Sequence, residues 1–307
     1  MNIVISIPAY NEEATIAAII RKIKEILGKH RSYVYRILVV DDGSTDKTAE
    51  IAKAEGAVVS SHPKNYGLAE TFRTEVQQFL KLKPEANAIV HIDADGQYKA
   101  EEIPLLLKKI EEGYDFVLGS RFLGHIEKMP LIKRLGNKAF SKAISQIAHT
   151  RISDAQSGFR AFTREVAETI PIISGHTYTQ EQVIKVVKNK FKMAEVPVYF
   201  AERKGKSRLI RNPFEYAIKA WINIIRVYRD YEPIRLFGVT GGILFLGGVA
   251  LGLRLLYFYL TTGVVGHTPS LILSMLLMSV GVQIITFGFL ADMIKKLKSS
   301  FYAAERE

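Results

Sequence analysis

The sequence predicts an α/β domain built on a mostly parallel sheet with flanking helices, followed by an amphipathic helix and two membrane-spanning helices. Short β-branched runs alternate with helical periodicity from Asn2 to about Ser120, the pattern of a parallel sheet covered by helices. Apolar residues concentrate between Leu236 and Ala291, where Arg254 is the only formally charged residue. Three acidic clusters also follow strand-like runs, and in such sheets ligands bind beyond the carboxyl ends of the strands.

The strand-like runs are Ile3-Val4-Ile5-Ser6-Ile7, Tyr35 to Val40, Ala88 to Ile92 and Phe116 to Gly119. Between the first two, Ile16, Ile19, Ile20, Ile23, Ile26 and Leu27 recur at helical spacing. Lys128 to Phe200 is mixed, with a helix over Leu131 to Ile147, a turn-rich Ser153 to Gly158 and a helix around Thr179 to Asn189; it is expected to form the acceptor side of the same domain. Pro213 to Tyr231 then carries Phe214, Ile218, Trp221, Ile222, Ile225 and Tyr228 on one face and Glu215, Lys219, Arg226 and Asp230 on the other. Such a helix, directly before an apolar stretch, is expected to lie in a membrane interface.

Thr261 to Pro269 supplies a turn that divides the apolar stretch into two arms, each long enough to cross roughly 30 Å of hydrocarbon. Arg226, Arg229 and Arg235 precede the pair and Lys295, Lys296 and Lys298 follow it, which predicts that both ends are cytoplasmic. Arg254 falls near the far interface, where its side chain can snorkel. Gly238, Gly241, Gly242, Gly247 and Gly248 would allow close helix packing, including homo-oligomerisation through the hairpin. The expected segments are thus 1–211, 212–232 for the interface helix, 233–294 for the hairpin and 295–307 for a basic tail.

A formal charge of +11 points to acidic partners: nucleic acid, an anionic membrane or phosphorylated substrates. The absence of cysteine excludes disulfides, thiolate metal sites and cysteine nucleophiles. Met1 to Pro8 lacks the features of a signal peptide, so the bulk of the chain is expected to stay where it is made. Nucleic-acid binding is disfavoured, because the basic residues are not interleaved with aromatics and acidic clusters occupy the presumed cleft.

The first strand ends in Pro8-Ala9-Tyr10-Asn11-Glu12-Glu13, without a dinucleotide or P-loop glycine pattern. The second runs into Asp41-Asp42-Gly43-Ser44-Thr45-Asp46, and the run from Ala88 into Asp93-Ala94-Asp95-Gly96-Gln97. Asp46 reads as a helix cap. Carboxylates clustered at three strand ends repel one another, and a cation or donor groups must offset that. Asp93 and Asp95, one residue apart on an extended turn, suit a hard divalent ion, Mg²⁺ or Mn²⁺, that keeps several waters and also holds a diphosphate.

Taken with Gly119-Ser120-Arg121, Asp154 to Arg160 and Gly205-Lys206-Ser207-Arg208-Leu209, these elements resemble the family-2 glycosyltransferases of GT-A fold, and among them the dolichyl- and polyprenyl-phosphate sugar synthases. The resemblance covers roughly the first two thirds of the chain in the family's order. It implies that Pro8, Ala9, Tyr10, Glu12, Val40 and Asp42 hold the nucleoside. Asp93, Ala94 and Asp95 would handle ribose, diphosphate and metal, with Gln97 near the metal or sugar. Arg121, Lys133 and Asn137 would surround the acceptor phosphate, and Arg208 would close over the phosphates. Lys133 and Asn137 stand where dolichyl-phosphate mannose synthases carry arginine and serine, and Glu202 stands at an often basic position.

The implied reaction is single, inverting transfer of a sugar from a nucleotide-sugar to dolichyl or polyprenyl phosphate at the cytoplasmic face of the cell membrane. A UDP-sugar is preferred to GDP-mannose as donor. Asp95, Arg121 and Asp154 are the catalytic candidates, Asp154 either as a base or as a group that orients Arg121, Lys133 or Arg160. Arg160 is open between a structural ion pair and a substrate contact. A processive polysaccharide synthase is the alternative enzyme, but the Q-x-x-R-W element is missing, since Trp221 follows Ile218-Lys219-Ala220. A non-catalytic membrane scaffold is the other alternative, and the intact Asp93, Asp95 and Arg121 argue against it.

Overall fold

The computed structural model describes residues 1–82, 85–173, 175, 178–202, 213–264 and 268–304, with backbone only at 213–217, 219–220 and 298–304. It divides into two compact units, Met1–Ala217 and Ile218–Glu307. In the first, β1 (Asn2–Ala9), β2 (Val34–Asp41), β3 (Val58–Ser61), β4 (Ala88–His91), β5 (Phe116–Ser120), β6 (Arg160–Thr163) and β7 (Met193–Pro197) form one sheet in the order β3-β2-β1-β4-β6-β5-β7. The helices are α1 (Ile16–Gly28), α2 (Thr48–Ala54), α3 (Leu68–Lys81), α4 (Ile103–Glu111), α5 (Leu131–Ala148), α6 (Arg164–Thr169) and α7 (Tyr178–Lys188).

β1 is a continuous apolar run because helices cover both faces of a parallel sheet, and its residues from Ile3 to Ala9 are all buried. Ile16, Ile19, Ile20, Ile23 and Leu27 of α1 pack into the same core as Ile5 and Ile7 of β1. The chain leaves β1 for β2 on one side and later returns to β4 on the other, so a topological switch point opens beside β1. Pairing of Ala9 with Asp41, and of Ser6 with His91, brings the ends of β1, β2 and β4 out along one rim.

The four expected strands and the helices at 131 and 179 are present, and the sheet is mostly parallel. Sequence reading did not foresee β3, β6 and β7. β6 opens on a buried arginine and runs antiparallel to both neighbours, β4 and β5. β7 contains Glu195 and ends in a proline, while β3 is a half-exposed strand of four residues, so none shows the apolar run that marks β1.

The second unit holds most of α8 (Pro213–Tyr231), then α9 (Pro233–Thr262) and α10 (Thr268–Ala304). On α8, Ile218, Trp221, Ile222 and Ile225 are exposed, Trp221 by 64%. Two 30-residue stretches, Pro233–Thr262 and Thr268–Leu297, are long and apolar enough to cross a membrane. Each rises about 45 Å. Their outer residues, such as Ile243, Leu246 and Leu253, are exposed rather than buried as in a soluble core helix.

Small residues let α9 and α10 pack closely on each other. A Cβ at Gly241 would lie 2.6 Å from the Gly281 carbonyl, and one at Gly248 would lie 2.8 Å from that of Ser274, whose hydroxyl donates to the Gly248 carbonyl at 2.7 Å. Gly241 and Gly248 therefore serve packing within the hairpin, whereas Gly238, Gly242 and Gly247 face open space. Gly248→Leu is expected to destabilise the detergent-solubilised protein by about 1–3 kcal/mol through overpacking. Gly247→Leu should leave thermal unfolding nearly unchanged, and equal shifts for the two variants would contradict this packing.

Candidate active site

A cavity of about 660 Å³ opens at the switch point. Its wall combines Pro8, Ala9, Tyr10 and Glu12 after β1, Asp42 after β2, Asp93, Ala94, Asp95 and Gln97 after β4, Arg121 after β5, and Lys133 and Asn137 on α5. One turn of helix separates Lys133 from Asn137, which places both on one face. Of the residues singled out in the sequence for the site, Val40, Asp154 and Arg160 do not line this space, and Arg208 lies outside the described residues. Val40 is fully buried inside β2.

Asp42 is nearly buried, and both of its carboxylate oxygens are in use. One accepts from the Tyr66 amide at 2.9 Å and pairs with the His62 ring at 2.7 Å; the other accepts from the Gly67 amide at 2.8 Å. It thereby ties the loop from His62 to Gly67 to the end of β2. Gly43 has φ +70°, and a Cβ there would strike the backbone of Lys64 and Asn65, so this loop rests directly on the glycine. Asp46 accepts from the amides of Thr48, at the start of α2, and Glu13, although the N-cap position of that helix is Lys47 rather than Asp46.

In the Asp93 to Gln97 turn, Asp95 accepts from the Gln97 amide at 3.1 Å. Gln97 donates its side-chain nitrogen to the Ala201 carbonyl at 3.2 Å, which leaves its side-chain oxygen as the end a cation would take. Among the described residues no three acidic, histidine or cysteine side chains form a metal cage. Two carboxylates and an amide oxygen instead suit Mg²⁺ or Mn²⁺ completed by water and phosphate oxygens, so the residues present fit such an ion.

The Asp93 side chain is 30% exposed, and protein surrounds the rest of it. A Cβ at Gly158 would come within 2.5 Å of its Oδ2, so the glycine makes room for the carboxylate. On the other side stands His91, fully buried, whose Nδ1 lies 2.6 Å from the equally buried Glu75 and whose Nε2 lies 3.7 Å from Asp93 Oδ1. Burial works against the imidazolium, but Glu75 and Asp93 outweigh it and push His91 up to about 9. Burial would likewise raise the Asp93 carboxyl, which His91, Arg160 and Arg121 together hold below its ordinary value. Sequence reading missed Glu75 and His91. The available signal was a glutamate between Phe72 and Phe79 on the apolar face of α3, and a histidine closing an apolar strand.

Asp154 is fully buried and grips Arg121 with both oxygens, at 2.7 Å from Nε and 2.8 Å from an Nη, while also accepting from the Arg121 amide. It does not line the cavity, and both of its oxygens are occupied by Arg121. Arg160, also fully buried, donates to the carbonyls of Ser157 and Gly158 and to the Gln182 side chain. It does not line the cavity and, among the described residues, forms no ion pair with a carboxylate; its hydrogen bonds fix the turn that abuts Asp93.

An unfolded histidine titrates near about 6.5 and the folded one near 9, so the folded protein holds an extra proton between these limits. The stabilisation is complete below about 6.5 and lost as pH rises through 9, to an extent on the order of 3 kcal/mol. Denaturant unfolding from pH 6 to 9.5 should show that loss in the wild type, and His91→Gln should flatten it. Asp154→Asn strands a buried guanidinium and should cost about 3–5 kcal/mol of stability, measured in the same way.

The chain matches Glycosyl transferase family 2 over residues 4–170. It is 30% identical to glycosyltransferase AglJ of Haloferax volcanii over 295 residues, covering 94% of this chain and 92% of that one. It is 32% identical to the dolichyl-phosphate hexose transferase of the same organism, covering 74% and 93%. Among solved structures it resembles glucosyl-3-phosphoglycerate synthase from Mycobacterium tuberculosis in complex with Mn²⁺, UDP and glucosyl-3-phosphoglycerate, with TM-score 0.57, 21% identity, and 73% and 79% of the two chains covered. With the strand-end carboxylates and the mostly parallel sheet described above, these likenesses establish that the chain is a member of glycosyl transferase family 2, with the GT-A fold.

Proposed function

We propose that the protein transfers one sugar from a nucleotide-sugar to a dolichyl or polyprenyl phosphate at the cytoplasmic surface of a membrane. One observation carries this reading: the carboxylates of the Asp93 turn and the cationic and amide groups Arg121, Lys133 and Asn137 line one cavity. A diphosphate at the acidic turn, with its cation, and a phosphate monoester at the basic wall would then share a space of about 660 Å³. The names of the two Haloferax relatives support a glycosyltransferase and, in one of them, a dolichyl-phosphate acceptor. Two helices long enough to cross a membrane, and the exposed apolar face of α8, support a lipid-borne acceptor.

In this reading Pro8, Tyr10, Glu12 and the loop held by Asp42 take the nucleoside, as the preferred UDP or as GDP. Asp93, Asp95 and Gln97 would hold Mg²⁺ or Mn²⁺, which stabilises negative charge on the departing diphosphate when bound. The Mycobacterium synthase, of the same fold, was crystallised with Mn²⁺ and UDP. An acceptor phosphate oxygen bonds to the anomeric carbon while the bond from that carbon to the diphosphate breaks. The electron pair leaves with the nucleoside diphosphate, and the anomeric configuration inverts.

A phosphate monoester has its second pKa near about 6, so the nucleophile is already deprotonated at neutral pH. A protein base is then unnecessary, in keeping with the burial of Asp154 against Arg121. Arg121, held rigidly by that ion pair, and Lys133 would keep the acceptor phosphate close to a second polyanion. The basic residues flanking the hairpin, Arg226, Arg229 and Arg235 before it and Lys295 and Lys296 after it, support a cytoplasmic site.

Membranes containing the protein, supplied with Mn²⁺, polyprenyl phosphate and a panel of labelled nucleotide-sugars, should yield lipid carrying one sugar. A ladder of products would indicate a processive synthase, and no labelled lipid would favour a scaffold. Asp95→Ala should remove the thermal stabilisation that Mn²⁺ plus nucleoside diphosphate gives the wild type, which reaches about 2.7 kcal/mol at a hundredfold excess over Kd. Without ligands its unfolding should stay within about 0.5 kcal/mol of wild type, since Asp95 is a partly exposed side chain.

A further inference from the structure

We infer that the buried pair of Glu75 and His91 positions the Asp93 carboxylate for its cation: Glu75 holds His91, and His91 braces Asp93 from the core side. Alternate residues of a strand point to one face of a sheet, so His91, the last residue of β4, and Asp93, two residues on, share a side. α3 meets the imidazole there with Glu75 and Phe72, one turn apart. His91 Nδ1 lies 2.6 Å from Glu75, and the Phe72 ring stands edge-on to the imidazole at 5.4 Å. The imidazole is thus fixed independently of Asp93.

Stability alone does not require the pair. Both side chains are fully buried, and apolar residues of similar volume in place of a buried ion pair are often neutral or stabilising. The pair also leaves His91 Nε2 and Glu75 Oε1 without hydrogen-bond partners among the described residues, and a buried unpaired donor calls for an explanation. What Nε2 faces is Asp93, whose Oδ1 is 3.7 Å away, too far for a hydrogen bond but within the range of charge attraction. A small rotation of the carboxylate closes that gap.

Asp93 is confined on its other side as well. A Cβ at Gly158 would come within 2.5 Å of its Oδ2, so the carboxylate stands between an imidazole and a main-chain turn. Asp95 and Gln97 are tied differently, to the turn's own amide and to the Ala201 carbonyl. Asp93 is thus the member of the candidate set whose position is referred to the core of the sheet. Groups behind a ligating carboxylate set its orientation, and their removal typically weakens metal binding by about 10- to 100-fold. His91 does not line the cavity, so its effect passes through Asp93.

This inference rests on the transferase reading, in which a cation sits at the Asp93 turn, and the test separates the two. The full-length protein in detergent is titrated with UDP and with GDP by calorimetry, in Mn²⁺ and in EDTA. If Mn²⁺ strengthens neither interaction of the wild type, the cation site fails and this inference fails with it. Two variants then carry neutral amides of different reach: asparagine at 91 places its nitrogen near the former Nδ1, glutamine near the former Nε2. Glu75→Gln accompanies each, so that no buried charge is stranded. Glu75→Gln/His91→Asn should lose about 10- to 100-fold in affinity in Mn²⁺, with affinity in EDTA unchanged. Glu75→Gln/His91→Gln, whose amide faces Asp93, should stay near wild type. Glu75→Leu/His91→Leu, an apolar pair, should match the asparagine variant, and it carries the test if the amide variants do not fold. Equal affinities in Mn²⁺ for the asparagine and glutamine variants, wild-type affinity for the leucine pair, or an equal loss in Mn²⁺ and in EDTA would overturn the positioning role while leaving the transferase reading standing.

Discussion

Parallel strands that end together on one rim bring Asp42, Asp93 and Asp95 to a common space, and like charges gathered there must be answered by donors. The protein answers them unequally. Asp42 is saturated by two amides and an imidazole, and Asp154, behind the wall, is saturated by a guanidinium. Asp93 has His91 on one flank and the turn at Gly158 on the other, and a third of its surface still faces the cavity. The carboxylates that the fold satisfies build the walls, and those it leaves accessible are the ones that a cation and a diphosphate can address.

The same rule separates the positive groups. Arg160 is buried and spends its hydrogens on backbone carbonyls and Gln182, so it acts as a brace. Arg121 is nearly as buried, but it reaches the cavity with its charge directed by Asp154. Two arginines from separate motifs therefore differ in kind, and what distinguishes them is which atoms they meet.

Much of the site was legible because it follows from period and position: strands of alternating or continuous apolar residues, with acidic residues immediately after them. What lies one layer back was not. Glu75 and His91 come from a helix and a strand that read as ordinary core elements, and their pairing depends on α3 crossing the sheet beside β4. β6 was hidden for a related reason, since its leading residue is a buried arginine whose partners are set by tertiary structure. Asp154 was singled out in the sequence as a catalytic candidate or an orienting group, and its burial against Arg121 is a tertiary fact that the sequence does not display. The hairpin glycines were recognised as packing residues, but which of them face the neighbouring helix depends on register rather than composition.

Because Gly43 meets the main chain of Lys64 and Asn65 rather than their side chains, the shape of that edge of the cavity is fixed by backbone. The side chains of Lys64 and Asn65 are not what meets Gly43, while the Tyr66 ring packs against His62 at 5.2 Å. Under the proposed function, exchanging Lys64 or Asn65 would re-tune the nucleobase accepted at this edge while its backbone frame stays the same.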